Sequence, residues 1–143
     1  MRIQQLSIFL ENRAGTLRRV CDLLAQSKVN VSTLLLADTK EFGVLRLLIR
    51  DWEQAKRTLE QGGYAVNQTE VLAVEVEDRP GGLTEILKPL EAADINIEYM
   101  YAFNIGRNGK VVDIFRFGNL DRAEAALKAA GINVLGVVEL FGA

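Results

Sequence analysis

The sequence predicts an α+β protein made of two tandem β-α-β-β-α-β units, each an antiparallel sheet with its helices on one face. Three observations carry this expectation. The chain repeats itself, each half switches between apolar periods of about 2 and about 3.6 residues, and the turn residues fall at matching places in both halves. Shifted by 66 residues, the chain lays Leu6 on Leu72, Glu11 on Glu77, Arg13 on Arg79, Gly15 on Gly81, Leu17 on Leu83, Leu24 on Leu90 and Asn30 on Asn96. Past the middle the offset becomes 68, so that Ala55 meets Ala123, Leu59 meets Leu127, Gly63 meets Gly131 and Val66 meets Val134. The two added residues belong in the second copy, around Ile105-Gly106-Arg107-Asn108-Gly109.

Each element follows from its pattern. Leu6, Ile8 and Leu10 alternate with Ser7, Phe9 and Glu11, a first strand. The turn Asn12-Arg13-Ala14-Gly15-Thr16 opens a helix whose Leu17, Val20, Cys21 and Leu24 share one stripe, which puts Cys21 in the core. Residues 29–36 read as a second strand and 42–49 as a third, joined by Asp38-Thr39-Lys40-Glu41. Val44, Leu45, Leu47, Leu48 and Ile49 leave that third strand apolar on both faces, so both should be covered. Asp51 stands at the N-cap of a helix carrying Trp52, Ala55 and Leu59 and stopped by Gly62-Gly63. Val66 opens the last strand. In the second copy, strands are expected at residues 71–76, 95–103, 111–117 and 132–141, and helices at 82–92 and 121–130. Pro89 should kink the first of these helices. Gln68-Thr69-Glu70 is too short for a flexible linker, so two domains, 1–68 and 69–143, should pack rigidly. A unit of this size and element order has the ferredoxin-like plan.

Composition narrows function. With 17 Lys+Arg against 19 Asp+Glu, the chain is mildly acidic and lacks the charge of a nucleic-acid binder. No apolar run approaches the roughly 20 residues of a membrane span, and the start reads as a strand rather than a signal peptide. A cytoplasmic protein is expected. The sequence has no histidine and one cysteine, Cys21. No Ser-His-Asp or Cys-His nucleophile can form, the commonest zinc ligand is missing, and no imidazole serves as a base near neutral pH. The chain is read as non-catalytic, without metal or cofactor.

Similarity between the copies is concentrated at two places. Glu11-Asn12-Arg13-Ala14-Gly15-Thr16-Leu17 matches Glu77-Asp78-Arg79-Pro80-Gly81-Gly82-Leu83, and Val29-Asn30-Val31 matches Ile95-Asn96-Ile97. The first place is a helix start, where unpaired N–H groups and a partial positive charge suit a carboxylate. Gly15 and Gly81 permit close backbone approach, and Pro80 suits the first turn. Asn12 or Asp78 can accept from an ammonium, while Asn30 and Asn96 both donate and accept. Read singly, these are helix caps and turn residues. Repeated at one spacing, they describe a pocket for a free α-amino acid, with Asn30 and Asn96 placed beside the helix start.

Other features fit plainer roles. The glycine-rich segment 104–109 joins two strands and reads as a hairpin, not a phosphate cradle. Tyr99, Tyr101 and Phe103 alternate and should pack against the other copy or a subunit, and Arg18-Arg19 should be a solvated helix face.

These motifs resemble those of tandem ACT domains, small amino-acid-sensing regulatory modules. The Glu-Asn-Arg-Ala-Gly-Thr-Leu turn with Asn30 is similar to the regulatory domain of D-3-phosphoglycerate dehydrogenase and to the acetohydroxyacid synthase small subunit. By that resemblance Asn12 and Asn30 in one copy, and Asp78 and Asn96 in the other, hold the amino acid. Arg13, Ala14, Gly15, Thr16, Leu17 and Val31, with Arg79, Pro80, Gly81, Gly82, Leu83 and Ile97, complete the two sites. The sequence departs from the pattern at Ala14, where proline is usual, at the acidic Asp78, and in lacking a histidine before the turn. The resemblance implies a regulated partner on another chain, which for one reading is acetolactate synthase itself. A two-fold homodimer is expected, because small sheets leave edges and apolar faces to cover.

Overall fold

In the computed structural model of the chain, residues 2–38 and 40–142 are described, residues 104–107 through their backbone alone. Thr39, in the first copy's expected hairpin turn, lies outside the described residues. The elements are β1 (Ile3–Glu11), α1 (Thr16–Gln26), β2 (Thr33–Asp38), β3 (Phe42–Leu48), α2 (Trp52–Gln61), β4 (Asn67–Glu77), α3 (Gly82–Ala92), β5 (Ile97–Arg107), β6 (Lys110–Phe117), α4 (Leu120–Ala129), β7 (Val134–Leu135) and α5 (Val137–Phe141). The chain divides into two compact units. One is Gln4–Thr69, and the other runs on from Glu70 with Arg2 and Ile3 grouped to it. Both are α+β units of the ferredoxin-like βαββαβ kind.

In the first unit β3 lies between β1 and β2 and is antiparallel to both, with Gln5 opposite Leu48 and Glu11 opposite Phe42. Alternation sends Leu6, Ile8, Leu10, Leu45, Leu47 and Ile49 to one face, where Val20 and Leu24 of α1 and Ala55 and Leu59 of α2 close the core. Leu48 points the other way and is buried too, while Val44 is half-buried. Cys21 departs from the expectation: it is exposed. It sits about 100° round the helix from Val20, off the Val20–Leu24 bearing that faces the sheet, while Leu23 packs on the other flank. β2 starts at Thr33, later than its apolar run suggests. Lys28 adopts a left-handed φ of 57° and the Val29 N–H donates to the Leu24 carbonyl at 2.9 Å, so these residues finish α1 rather than begin a strand. Nor is there a break at Gln68-Thr69-Glu70. β4 is one strand from Asn67 to Glu77, beginning in the first unit, where the Gln68 amide donates to Gln4 Oε1 at 3.0 Å.

In the second unit β6 lies between β4 and β5, and β7 pairs with β4. Leu72, Val74, Val76, Phe115 and Phe117 face Ile86 and Leu90 of α3 and Ala123 and Leu127 of α4. α3 continues through Pro89 to Ala92, and Asn119 caps α4 by accepting from the Arg122 N–H at 3.1 Å. The segment 104–109 is a hairpin as expected. Asn108 and Gly109 turn it with φ of 55° and 71°, and the β5–β6 pairing is irregular between Phe103 and Arg107, where the two extra residues are absorbed.

The stretch 132–141 is not the expected strand. Only Val134 and Leu135 pair with β4; after Gly136 the chain enters α5, with Leu140 buried and Phe141 edge-on to Phe103 at 6.2 Å. Phe103 is therefore covered by its own unit's last helix. Arg2 joins this unit through Asp121, Glu124 (3.4 Å) and Glu70 (3.8 Å).

One core position differs tellingly between the copies. Ile8 pairs with Leu45 in the first unit, and the matching Val74 pairs with Asp113 in the second. Asp113 thus stands where the first unit buries a leucine, and burial raises its carboxyl above the ordinary 3.8. A raised folded value means that the charged form opposes folding. Stability tied to this group is complete below the ordinary value and is lost as pH rises through the folded one. Relative to Asp113→Asn, the native chain should gain melting temperature as pH falls from neutrality, and parallel curves for the two would refute this.

Candidate functional site

The β1–α1 turn of the first unit is built by short backbone bonds. The Asn12 N–H donates to the Glu41 carbonyl at 3.0 Å and the Arg13 N–H to Glu11 at 2.8 Å. The Thr16 hydroxyl donates towards the Glu11 and Arg13 carbonyls at 2.9 and 3.0 Å. Gly15 is the N-cap, with φ 89°, and no side chain caps the helix. Asn12 and Asp78 are therefore not helix caps; both helices start behind a left-handed glycine, Gly81 having φ 83°. The Thr16 N–H donates to the Arg13 carbonyl at 3.4 Å, and no side chain caps the N–H groups that follow it in the first turn of α1.

Around this helix start lies a cavity of about 410 Å³. It brings together Asn12, Arg13, Ala14, Gly15, Thr16 and Leu17, as the sequence expects, with Glu11 and Leu10 of β1. Leu10 was not foreseen, nor were Leu36 and Asp38 of β2 and Gly43 of β3. Gly43 pairs with both Leu10 and Asp38 and floors the cavity. A β-carbon there would come within 3.2 Å of Leu36 Cδ1. An isolated glycine inside an apolar strand was the available signal, since it marks a close approach. Arg13 is engaged with Glu11 at 3.2 Å, both side chains being exposed. The cavity thus offers a helix start that no side chain caps, the carboxylates of Glu11 and Asp38, the Asn12 amide, and apolar walls from Leu10, Leu17 and Leu36.

The second turn has the same plan and a tighter build. The Asp78 N–H donates to Gly109, Arg79 to Glu77 and Gly82 to Arg79, each at 2.9 Å, where the matching Thr16–Arg13 distance is 3.4 Å. Gly82 is buried, and a β-carbon there would fall 1.9 Å from the Glu77 carbonyl oxygen. Pro80, Gly81 and Leu83 are exposed. Arg79 pairs with Glu85 at 2.6 Å, which raises its guanidinium above the ordinary value. The residue matching Gly43 is Val111, opposite Val76, and its side chain packs on the core.

Asn30 and Asn96 do not lie beside the helix starts of their own units. Strand, helix and next strand form a crossover, so β1 and β2 run parallel and the end of one is far from the start of the other. Thr33 is level with Gln5 through Leu48, whereas the turn follows Glu11, level with Phe42. Six residues of strand separate the two levels, about 20 Å. Asn30 is exposed and Val31 half-buried at that far end. Asn96 and Ile97 line a separate cavity of about 390 Å³ with Leu87, Leu90, Glu91, Asp94 and Ile95.

Among the described residues, no group of three or more acidic or cysteine side chains is gathered as a metal site, and no helix is long and apolar enough to cross a membrane. Fold and turns together define a duplicated ferredoxin-like module with a ligand-sized opening at a helix start. The chain belongs to the ACT domain pair family, whose model matches residues 1–138. It is 34% identical to protein BT0572 from Bacteroides thetaiotaomicron, with a TM-score of 0.91 over 100% of this chain and 98% of that one. The acetolactate synthase small subunit of Buchnera aphidicola subsp. Baizongia pistaciae (strain Bp) is 33% identical over 89 residues, 61% of this chain and 55% of that protein. The match therefore spans about half the length of that relative. The regulatory subunit of aspartate kinase from Thermus thermophilus shares the fold, with a TM-score of 0.66 at 17% identity over 92% of each chain.

Proposed function

We infer that the chain is a cytoplasmic, non-catalytic regulatory protein that binds a free amino acid at the β1–α1 turn and modulates a partner. The observation that supports it most is the 410 Å³ cavity around an uncapped helix start. The ligand carboxylate meets the N–H groups behind Gly15. Its ammonium meets Asp38 or Asn12, and its side chain lies against Leu10, Leu17 and Leu36. Arg13, Ala14 and Thr16 shape the loop. In the second domain, Asp78, Arg79, Pro80, Gly81, Gly82 and Leu83 form the corresponding turn, with Val111 narrowing it. Asn30, Val31, Asn96 and Ile97 stay outside these sites as each unit is built. In this reading the first domain takes residues 1–68 and the second residues 69–143, one residue from the Thr69–Glu70 division of the compact units. A thermal-shift screen of free amino acids tests the reading: at about 100 times its Kd, a true ligand adds roughly 2.7 kcal/mol of stability. A screen with no shift at any amino acid would remove it.

A second reading is a dedicated subunit of an acetolactate synthase-type enzyme, favoured by the similarity to the Buchnera small subunit. A stoichiometric catalytic chain co-purifying from the native host separates the two. In either case a homodimer is expected, since the helix-free face of the first unit leaves Phe9 64% and Phe42 47% exposed. Light scattering should return twice the chain mass, and a monomer at high concentration would count against it.

A further inference from the structure

The second unit holds a cavity of about 350 Å³ on the face of its sheet turned away from α3 and α4. Glu75 and Val112 are paired across β4 and β6, and Lys110 follows on the same face. α5 folds over them with Leu140 buried, and Leu135 of β7 closes one side. The lining is chemically sorted. Val112, Leu135 and Leu140 make an apolar wall, Glu75 and Glu139 supply carboxylates, and Lys110 an ammonium.

The polar groups are held in place but not used up. One oxygen of Glu75 accepts from the Asn133 amide, and one oxygen of Glu139 accepts from the Gly136 N–H at 3.2 Å. Among the described residues, the second oxygen of each carries no bond. Lys110 stands 3.8 Å from Glu77 Oε1, beyond hydrogen-bond distance. The repeat shows that the fold does not require these charges: Phe9 and Phe42 occupy the matching places in the first unit, opposite Val44 and Glu11.

We propose that this pocket under α5 is a second, independent binding site for a small zwitterion with an aliphatic body, an α-amino acid of the leucine type. Its ammonium lies between Glu75 and Glu139, its carboxylate on Lys110, and its alkyl chain against Val112, Leu135 and Leu140. The site shares no residue with the turn cavity of the first unit, so either can fail alone.

The test uses the intact chain and L-leucine, isoamylamine and isocaproate as probes, followed by methyl NMR and calorimetric titration. L-leucine should move the methyls of Val112, Leu135 and Leu140, and both single-charge analogues should bind more weakly. Lys110→Gln should weaken leucine and isocaproate by roughly tenfold and leave isoamylamine unchanged, because only the carboxylate loses its charged donor. Glu139→Gln, which keeps the bond to Gly136, should weaken leucine and isoamylamine and spare isocaproate. Leu135→Trp should abolish all three by filling the space. The proposal fails if millimolar leucine leaves those methyls unmoved. It also fails if shifts occur only at Leu10, Leu17 and Leu36, or if Lys110→Gln weakens all three probes equally.

Discussion

Gly82→Ala should unfold the second unit at a temperature where the first survives. A β-carbon at Gly82 would lie 1.9 Å from the Glu77 carbonyl oxygen and 3.0 Å from its carbon. The obstacle is backbone at the end of a central strand, so no rotamer change relieves it. The turn must open, breaking the 2.9 Å bond from the Gly82 N–H to Arg79. A cost of about 3 kcal/mol or more is expected, at the upper end for single substitutions, and for a unit of this size that lowers the melting temperature by roughly 12–24 °C. Gly81→Ala is the control. Its β-carbon meets nothing within 4 Å, and only φ 83° resists the substitution, a cost of about 1–2 kcal/mol. Calorimetric melting of the two variants decides: equal losses would mean that the turn yields as easily as a side chain.

This contrast shows what sequence reading could and could not reach. That glycines belong at Gly15 and Gly81 is written in the repeat, whereas Gly82 stands where the first copy has Thr16, and the reasons for the glycines differ. Gly15 and Gly81 serve left-handed backbone, while Gly82 serves space. Apolar periodicity located the sheets and helices because burial is what periodicity records. It missed where residues 132–141 leave the sheet, since Val134, Val137, Leu140 and Phe141 suit a strand and a short helix equally well. It misplaced Cys21 because a stripe of 3.6 period has flanks as well as a centre. The asparagines were placed beside their own helix starts for another reason. Similarity in sequence groups residues by what they share with their counterparts, not by which end of the sheet they occupy. Only the crossover geometry puts Asn12 and Asn30 at opposite ends. Leu36, Asp38 and Gly43 are distant from the turn in sequence and reach it through antiparallel register alone.

Gly43→Val should empty the first site of ligand while leaving the fold intact, the largest effect expected on binding. The substitution writes into the first unit what the second already has, since Gly43 and Val111 hold matching positions opposite Leu10 and Val76. The new side chain projects into the cavity floor. Its β-carbon comes 3.2 Å from Leu36 Cδ1, the tip of a half-exposed side chain on β2 that can move aside. Stability should hold or rise, because glycine inside an element costs about 0.5–1 kcal/mol against alanine and valine favours a strand. Affinity for the amino acid that gives the largest thermal shift should fall tenfold or more, a loss of at least about 1.4 kcal/mol. Titration of the native chain, Gly43→Val and Asp38→Asn in parallel separates the causes. If the cavity is the site, Gly43→Val removes binding through volume. Asp38→Asn, which keeps volume, weakens it only if that carboxylate meets the ammonium. Undiminished affinity in Gly43→Val would place the ligand elsewhere, and the melting curve would show that the protein tested was still folded.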